Sequence, residues 1–118
     1  MNKDTKQIKI DATGKSWGRI ASQVANILQN KTCPDYEKNV VSNITVVVEN
    51  LSKAKFTGKK LKQKIYYHHT DYLGHMKEET FEFKLKKNPE KAFKDSVRGM
   101  LAKNSLRDKR LKHLIIKQ

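Results

Sequence analysis

The sequence is poor in cysteine and has no pair of cysteines that could form an internal disulfide. Its one cysteine, Cys33, lies beside Pro34 in a polar segment, with no neighbouring histidine to activate it. Small secreted domains usually depend on disulfides, so the sequence predicts a reducing, cytoplasmic compartment.

Long apolar runs are also missing. The longest is centred on Val46, Val47 and Val48, and a membrane-spanning helix needs about 20 apolar residues. The opening MNKDTKQIK lacks the apolar segment of a secretory signal. The sequence therefore predicts neither a secretory leader nor a membrane partner.

Acidic residues are scarce relative to basic ones. The 118 residues contain 26 Lys and Arg but only 12 Asp and Glu, so the net charge is +14. Residues 60–118 carry more of this excess than residues 1–59. Because such a charge repels itself in a compact fold, it implies a polyanionic partner. Nucleic acid is the predicted partner, and an anionic membrane surface is the less favoured alternative.

No catalytic or metal-binding set is complete in the sequence. His68 and His69 are adjacent, so on a strand they would point to opposite faces and could not easily share one ion. His75 has no partner at the usual zinc-ligand spacing, and Ser16 lacks a nucleophile elbow. The prediction is a protein that is not an enzyme, with no metal, cofactor or small-molecule substrate.

The segment IDATGKSWGR contains only the end of a phosphate-binding loop. The full G-x-x-x-x-G-K-[ST] motif needs a glycine five residues before Gly14, and Lys9 occupies that position. Lysine cannot cheaply adopt the positive φ that a glycine provides there. A P-loop-like nucleotide-binding enzyme is therefore the unfavoured alternative.

The periodicity of the first half predicts the start of a β-α-β unit. Residues 7–11 alternate as a strand does, and an apolar helical stripe begins at Trp17 with Ser16 at the N-cap. This helix is expected to end before Pro34. Residues 44–50 have the continuous apolar centre of a strand buried on both faces of a parallel sheet.

The second half predicts further strands and helices. Residues 62–70 indicate an aromatic strand, followed by a loop around Gly74. The segment TFEFKLKK alternates like a strand, although a helix is also compatible with it. A helix follows, capped by Asn88 with Pro89 in its first turn, then a short basic helix and a terminal strand LIIK. One helical face is expected to hold Phe93, Val97, Met100 and Leu101. These elements predict one α/β domain.

Basic residues and a run of aromatic and imidazole side chains are the candidate RNA contacts. Lysine and arginine neutralise phosphates, and unpaired bases stack on aromatic rings. One of Tyr66 and Tyr67 is expected to face the core, and residues 68–77 to form an exposed loop. On the basic helix, Arg107, Arg110 and more loosely Lys103 are expected to share a face. The predicted contacts are Lys15, Arg19, Lys59, Lys60, His68, His69, Tyr72, His75, Lys77, Arg98, Lys103, Arg107, Arg110 and Lys112. For any single lysine, a solvated surface position is the alternative.

Three segments resemble motifs of the bacterial large-subunit ribosomal protein L13 family, also called uL13. YYHHTDYLGHMKEETFE resembles the family's Y-Y-H-H-[ST]-G-Y-x-G-G-x-K segment. IDATGKSWGRIASQVANIL is similar to its D-A-x-G-x-x-L-G-R-L-A start, and VRGMLAKNSL resembles its G-M-L signature. The segments occur in family order and spacing, so the resemblance covers nearly the whole chain.

The resemblance implies a three-layer α/β/α fold around a mostly parallel four-stranded sheet, within one domain over residues 1–118. It implies a non-catalytic ribosomal component that binds large-subunit rRNA early in assembly, beside neighbouring large-subunit proteins. It favours a helix for TFEFKLKK. The cluster of basic residues from Arg98 onward separately predicts a phosphate-contacting basic segment at residues 98–118. The residues do not separate a bacterial from an organellar ribosome. An RNA-binding regulator acting away from the ribosome is the remaining alternative.

Several positions depart from the family pattern. Ala102 replaces the usual proline after G-M-L, and Asp108 stands where the family has arginine, so Arg107 or Arg110 is expected to substitute. Asp71 and His75 occupy positions near family glycines. A C-terminal tail with a His-Pro-His-type motif is absent, which predicts a compact version of the family.

Overall fold

The computed structural model describes residues 6–34, 37, 39–41 and 43–117 of the chain. The strands are β1 (Lys6–Asp11), β2 (Ile44–Glu49), β3 (Ile65–His69), β4 (Met76–Thr80) and β5 (Leu114–Lys117). The helices are α1 (Trp17–Leu28), α2 (Lys60–Gln63), α3 (Phe81–Lys87), α4 (Pro89–Met100) and α5 (Leu106–Leu111). A short 3-10 turn at Leu51–Lys53 follows β2.

A parallel sheet in the order β1-β2-β5 forms the centre of the fold. In the central strand, Val46, Val47 and Val48 are all 0% exposed. Since consecutive side chains of a strand point to opposite faces, both faces of β2 are buried, and this prediction is confirmed. The four-stranded layout is not confirmed, because the parallel sheet has three strands within the described residues. The predicted α/β/α arrangement, with helices on both faces of the sheet, stays a prediction.

Helix α1 packs against β2 and α4 through its apolar stripe. Ser16 lies at the predicted N-cap with extended backbone, but its hydroxyl makes no capping hydrogen bond. The helix ends before Pro34 because Asn30 adopts a positive φ of 61°. The Lys31 amide then donates to the Asn26 carbonyl and the Asn30 amide to the Ile27 carbonyl, a Schellman ending that satisfies the last carbonyls.

The segment predicted as an aromatic strand followed by an exposed loop forms a β-hairpin, in which β3 lies within the predicted strand and the predicted loop around Gly74 is the turn. β3 pairs antiparallel with β4, so His68 lies opposite Lys77 and His69 opposite Met76. The predicted loop of residues 68–77 is therefore wrong at both ends, because strand pairing satisfies the backbone polar groups there. The predicted strand of residues 62–70 is also too long at its start, where α2 occupies residues 60–63.

The segment TFEFKLKK contains helix α3, so the helix implied by the family resemblance is confirmed and its strand-like alternation is misleading. Phe81 is buried and Leu85 packs against the core, four residues further along. Phe83 lies off this face and is 54% exposed. The Thr80 hydroxyl accepts a hydrogen bond from the Phe83 amide at 3.3 Å, which caps the helix.

Helix α4 begins as predicted. The Asn88 side-chain oxygen accepts from the Lys91 amide at 3.2 Å, and Pro89 is the first helical residue. Val97 and Leu101 are buried, but Met100 is 46% exposed. Met100 borders an open cavity, which accounts for its exposure at the end of this face.

An aromatic cluster joins the βα unit to the helices of the second half. The Trp17 ring lies 5.1 Å from Phe56, 5.7 Å from Phe81 and 5.3 Å from Phe93, measured between centroids. Phe81 and Phe93 meet Trp17 edge to face, the favoured geometry for aromatic pairs. The Trp17 indole donates to the Ser96 hydroxyl at 3.1 Å, so its polar atom is satisfied in the core.

Truncating Phe93 should destabilise the fold strongly. Because this side chain is fully buried against Trp17, Phe93→Ala is expected to lower the free energy of unfolding by about 3–5 kcal/mol. Phe83→Ala is the matched control, and its exposed ring should cost about 1 kcal/mol or less. Urea titration followed by circular dichroism measures both. Equal destabilisation by the two changes would contradict the burial of Phe93 relative to Phe83.

Candidate nucleic-acid interface

The tip of the hairpin forms an open depression of about 650 Å³. The backbone of this hairpin turn is exposed, but hydrogen bonds within the turn fix its conformation. The Thr70 amide and hydroxyl both donate to the His75 carbonyl, at 3.1 and 3.0 Å, and the His75 amide donates to the Tyr72 carbonyl at 3.2 Å. Gly74 completes the turn with a φ of 78°, which favours glycine. The depression therefore has a defined shape.

Five of the predicted contacts meet around this depression. The residues are His68, His69, Tyr72, His75 and Lys77. Tyr72 is 76% exposed, and its ring meets that of His75 edge to face at 6.3 Å. The arrangement offers ring faces for unstacked bases, imidazoles for hydrogen bonds and an ammonium group for phosphate. We call these five residues the hairpin patch.

Of the two tyrosines before the hairpin patch, one faces the core and the other faces solvent, as predicted. Tyr66 packs against the core, with its ring 5.9 Å from that of Phe81. Tyr67 points to the opposite face of the hairpin and is 62% exposed. It does not line the depression. The exposed apolar residues Leu73 and Met76 also lie on the hairpin. The predicted contacts omitted them, because no periodic pattern in the sequence marks them as surface residues.

Lys15 and Arg19 lie together at the turn between β1 and α1. Both are exposed and border a shallow depression of about 310 Å³. The backbone amides of this turn are used within the chain. Those of Gly14 and Trp17 donate to the carbonyls of Lys53 and Lys55. A phosphate-binding loop must instead aim such amides at its ligand, so the geometry argues against nucleotide binding here.

Asp11 holds this turn in place. One carboxylate oxygen accepts hydrogen bonds from the Thr13 amide at 3.0 Å, the Thr13 hydroxyl at 2.8 Å and the Asn50 side chain at 3.2 Å. The Thr13 backbone bond, followed by those of the Thr13 and Asn50 side chains, lowers the pKa of Asp11 from 3.8 to about 2. Lys15 contributes in the same direction.

The basic C-terminal segment is divided between surface and interior. Arg98 is exposed, and its guanidinium lies 4.0 Å from the Asp108 carboxylate, which is too weak and solvated a pair to hold it. Lys103 is exposed but precedes α5, so it is not on the helix. Lys112 follows α5 and is also exposed.

The two arginines of α5 are less accessible than predicted. Arg107 is half-buried, and its Nε atom has no hydrogen-bond partner in the part of the chain that the structure describes. Arg110 is only 3% exposed, so its side chain is not accessible to a phosphate in this conformation. The predicted common basic face of Lys103, Arg107 and Arg110 is therefore not formed.

Lys59 and Lys60 are exposed at the start of α2. They belong to a run of lysines that includes Lys55 and Lys64, which the predicted contacts omitted. In KAKFTGKK, residues 53–60, the lysines alternate with Phe56, and this is the sequence signal that could have identified Lys55. Across the described ranges no group of three or more His, Cys, Asp or Glu side chains could hold a metal ion.

The ribosomal protein L13 family model matches residues 5–116 of the chain. The chain belongs to the ribosomal protein L13 family. L13 is a ribosomal protein family and not an enzyme family. Among the helices that the structure describes, none is long and apolar enough to span a membrane.

Individual L13 relatives are similar along most of their length. The large ribosomal subunit protein uL13 of Agathobacter rectalis is 46% identical over 103 residues, which is 87% of this chain and 72% of the relative. That of Nautilia profundicola is 51% identical over 108 residues, 91% and 76% of the two chains. That of Aquifex aeolicus is 45% identical over 105 residues, 89% and 73%.

The low pKa of Asp11 predicts a specific pH dependence of stability in this L13 chain. A carboxyl group whose pKa is about 2 when folded, and near 4 when unfolded, stabilises the fold fully above about pH 4. This contribution is lost as the pH falls from about 4 to 2. Asp11→Asn should therefore flatten the fall of the urea midpoint over this range.

Asp71→Asn is the matched control, because Asp71 lies exposed on the hairpin and should leave the curve unchanged. An acid-induced fall in Asp11→Asn as steep as in the unchanged protein would contradict the role of Asp11.

Proposed function

We propose that the chain is a structural constituent of the large ribosomal subunit that binds rRNA and supports subunit assembly. The observation that carries this proposal is the L13 match over residues 5–116, with relatives that are named as large ribosomal subunit proteins. The net charge of +14 supports the same conclusion, because it suits a phosphate-rich partner.

Binding would combine two kinds of contact. The hairpin patch supplies rings and imidazoles for unstacked bases, held on a turn with fixed hydrogen bonds. Exposed cations at Lys15, Arg19 and the start of α2 supply phosphate contacts. Each phosphate contact releases counterions and so adds to affinity in a salt-dependent way. Base contacts add orientation that is less sensitive to salt.

The chain would act as one domain over residues 1–118, with the segment 98–118 adding further phosphate contacts. Arg98, Lys103 and Lys112 are its exposed predicted contacts. Neighbouring large-subunit proteins and rRNA are the proposed partners, and the ribosome is the proposed location.

Sedimentation tests the ribosomal role directly. Tagged protein in cell lysate should comigrate with the large subunit through a sucrose gradient, and should remain there in high-salt buffer because many contacts act together. Immunoblotting of the fractions measures this. Recovery at the top of the gradient, bound to other RNA, would instead favour a regulator acting away from the ribosome.

The hairpin patch should contribute to RNA affinity without changing its salt dependence. Tyr72→Ala combined with His75→Ala removes two stacking surfaces, each worth about 1–3 kcal/mol where a base stacks. Filter binding to purified large-subunit rRNA should show that the affinity falls by at least about fivefold. The slope of log affinity against log salt should stay the same.

Tyr67→Ala is the matched control, since Tyr67 is an exposed tyrosine on the same hairpin but outside the patch. Its affinity should match that of the unchanged protein. If Tyr67→Ala weakened binding as much as the double variant, the assignment of base contacts to the hairpin patch would be wrong.

A further inference from the structure

A third cavity, of about 300 Å³, opens beside the aromatic cluster. The start of α1, the segment around Phe56, the beginning of β3 and the end of α4 enclose it. Trp17 and Phe81 are buried and line its floor, while Phe56 and Tyr66 are partly exposed. The hairpin patch contributes no residue to this cavity. We call it the aromatic pocket.

The rim of the aromatic pocket is positively charged. Lys55, Lys60 and Lys64 all line it and are exposed. Its one acidic residue, Asp95, has its carboxylate 2.8 Å from the ammonium group of Lys84. Because this ion pair neutralises the acid locally, the rim presents a net positive charge to solvent.

Two glycines leave the pocket open. Gly18 on α1 and Gly99 on α4 both line it, and a Cβ atom built on either would meet no atom within 4 Å. Ser16 also lines the pocket, and its hydroxyl makes no helix-capping hydrogen bond. The space therefore combines ring surfaces, a polar group without a capping role and a cationic rim.

We propose that the aromatic pocket receives one unstacked nucleotide of the large-subunit rRNA. The base lies against the ring surfaces that line the pocket, and the phosphates that flank the nucleotide contact the lysines of the rim. This inference rests on the proposed rRNA-binding function and adds a specific site to it. Aromatic rings combined with cations are the usual means by which proteins hold single-stranded nucleic acid.

Size and charge favour a nucleotide over an apolar segment of another protein. A volume of about 300 Å³ lies at the small end of ligand pockets, so it suits one base better than the apolar face of a helix. Three lysines on the rim would leave uncompensated charge beside an apolar peptide, whereas a nucleotide brings its own phosphate.

Filling the pocket tests this inference. Gly99→Leu and, independently, Gly18→Leu place a side chain where the structure shows open space. Each should lower the affinity for purified large-subunit rRNA about fivefold or more, because a base can no longer stack there. The salt slope should change little. Gly99→Ala is the control for the backbone, and thermal unfolding confirms that each variant is folded.

Removing the rim charges gives a second and different signature. Lys55→Gln combined with Lys60→Gln should make the slope of log affinity against log salt shallower by about 0.7 for each phosphate that is no longer neutralised. Lys87→Gln combined with Lys91→Gln is the matched control, since it removes the same charge from exposed lysines outside the pocket. The control should leave the slope unchanged.

The one tryptophan of the chain reports on the site directly. Trp17 lines the pocket, so rRNA should quench its fluorescence in the unchanged protein and much less in Gly99→Leu. If the unchanged protein binds rRNA but both leucine variants bind and quench equally well, the pocket inference is wrong and the proposed function stands. If the unchanged protein does not bind rRNA at all, both are wrong.

Ultraviolet crosslinking of Phe56 or Tyr66 to a peptide in intact subunits would identify a protein occupant and overturn the inference.

Discussion

The packing of Trp17 is the interaction on which the rest of the structure depends. Its ring contacts Phe56, Phe81 and Phe93, which come from three separate parts of the chain. It also lies at the first turn of α1, the helix of the β-α-β unit. One side chain therefore connects the parallel sheet to α3 and α4. The two-stranded hairpin, which would be marginal alone, is joined to this core through Tyr66.

This core allows the surface to be strongly basic. Three ion pairs are seen between described residues, and pairing within the chain leaves the net charge of +14 unchanged. The remaining cations are held at the surface by buried apolar packing and repel one another. A bound polyanion reduces that repulsion. The apolar core can therefore stabilise the fold while the surface cations remain available to bind RNA. The exposed aromatic residues of the hairpin add contacts that charge alone does not provide.

Some elements could be predicted from the sequence because their signals are local. Asn88 and Pro89 mark the start of α4 whatever surrounds them, and the alternation of β1 follows from its own residues. TFEFKLKK shows the limit of such reasoning. Its alternation fits a strand, but burial of Phe81 against Trp17 and capping by Thr80 favour a helix. The periodicity of a short segment carries no information about a packing partner that is distant in sequence, as Trp17 is from Phe81.

The sequence by itself determined the charge, the family and the types of residue that can contact RNA, because composition and local motifs do not depend on folding. Only the tertiary structure decided which of these residues are accessible. Arg107 and Arg110 are equivalent in charge, yet Arg110 is 3% exposed, because burial depends on how α5 packs against the rest of the fold. The same holds for the aromatic pocket. Gly18 and Gly99 lie in opposite halves of the chain, and they line one space only because α1 packs against α4.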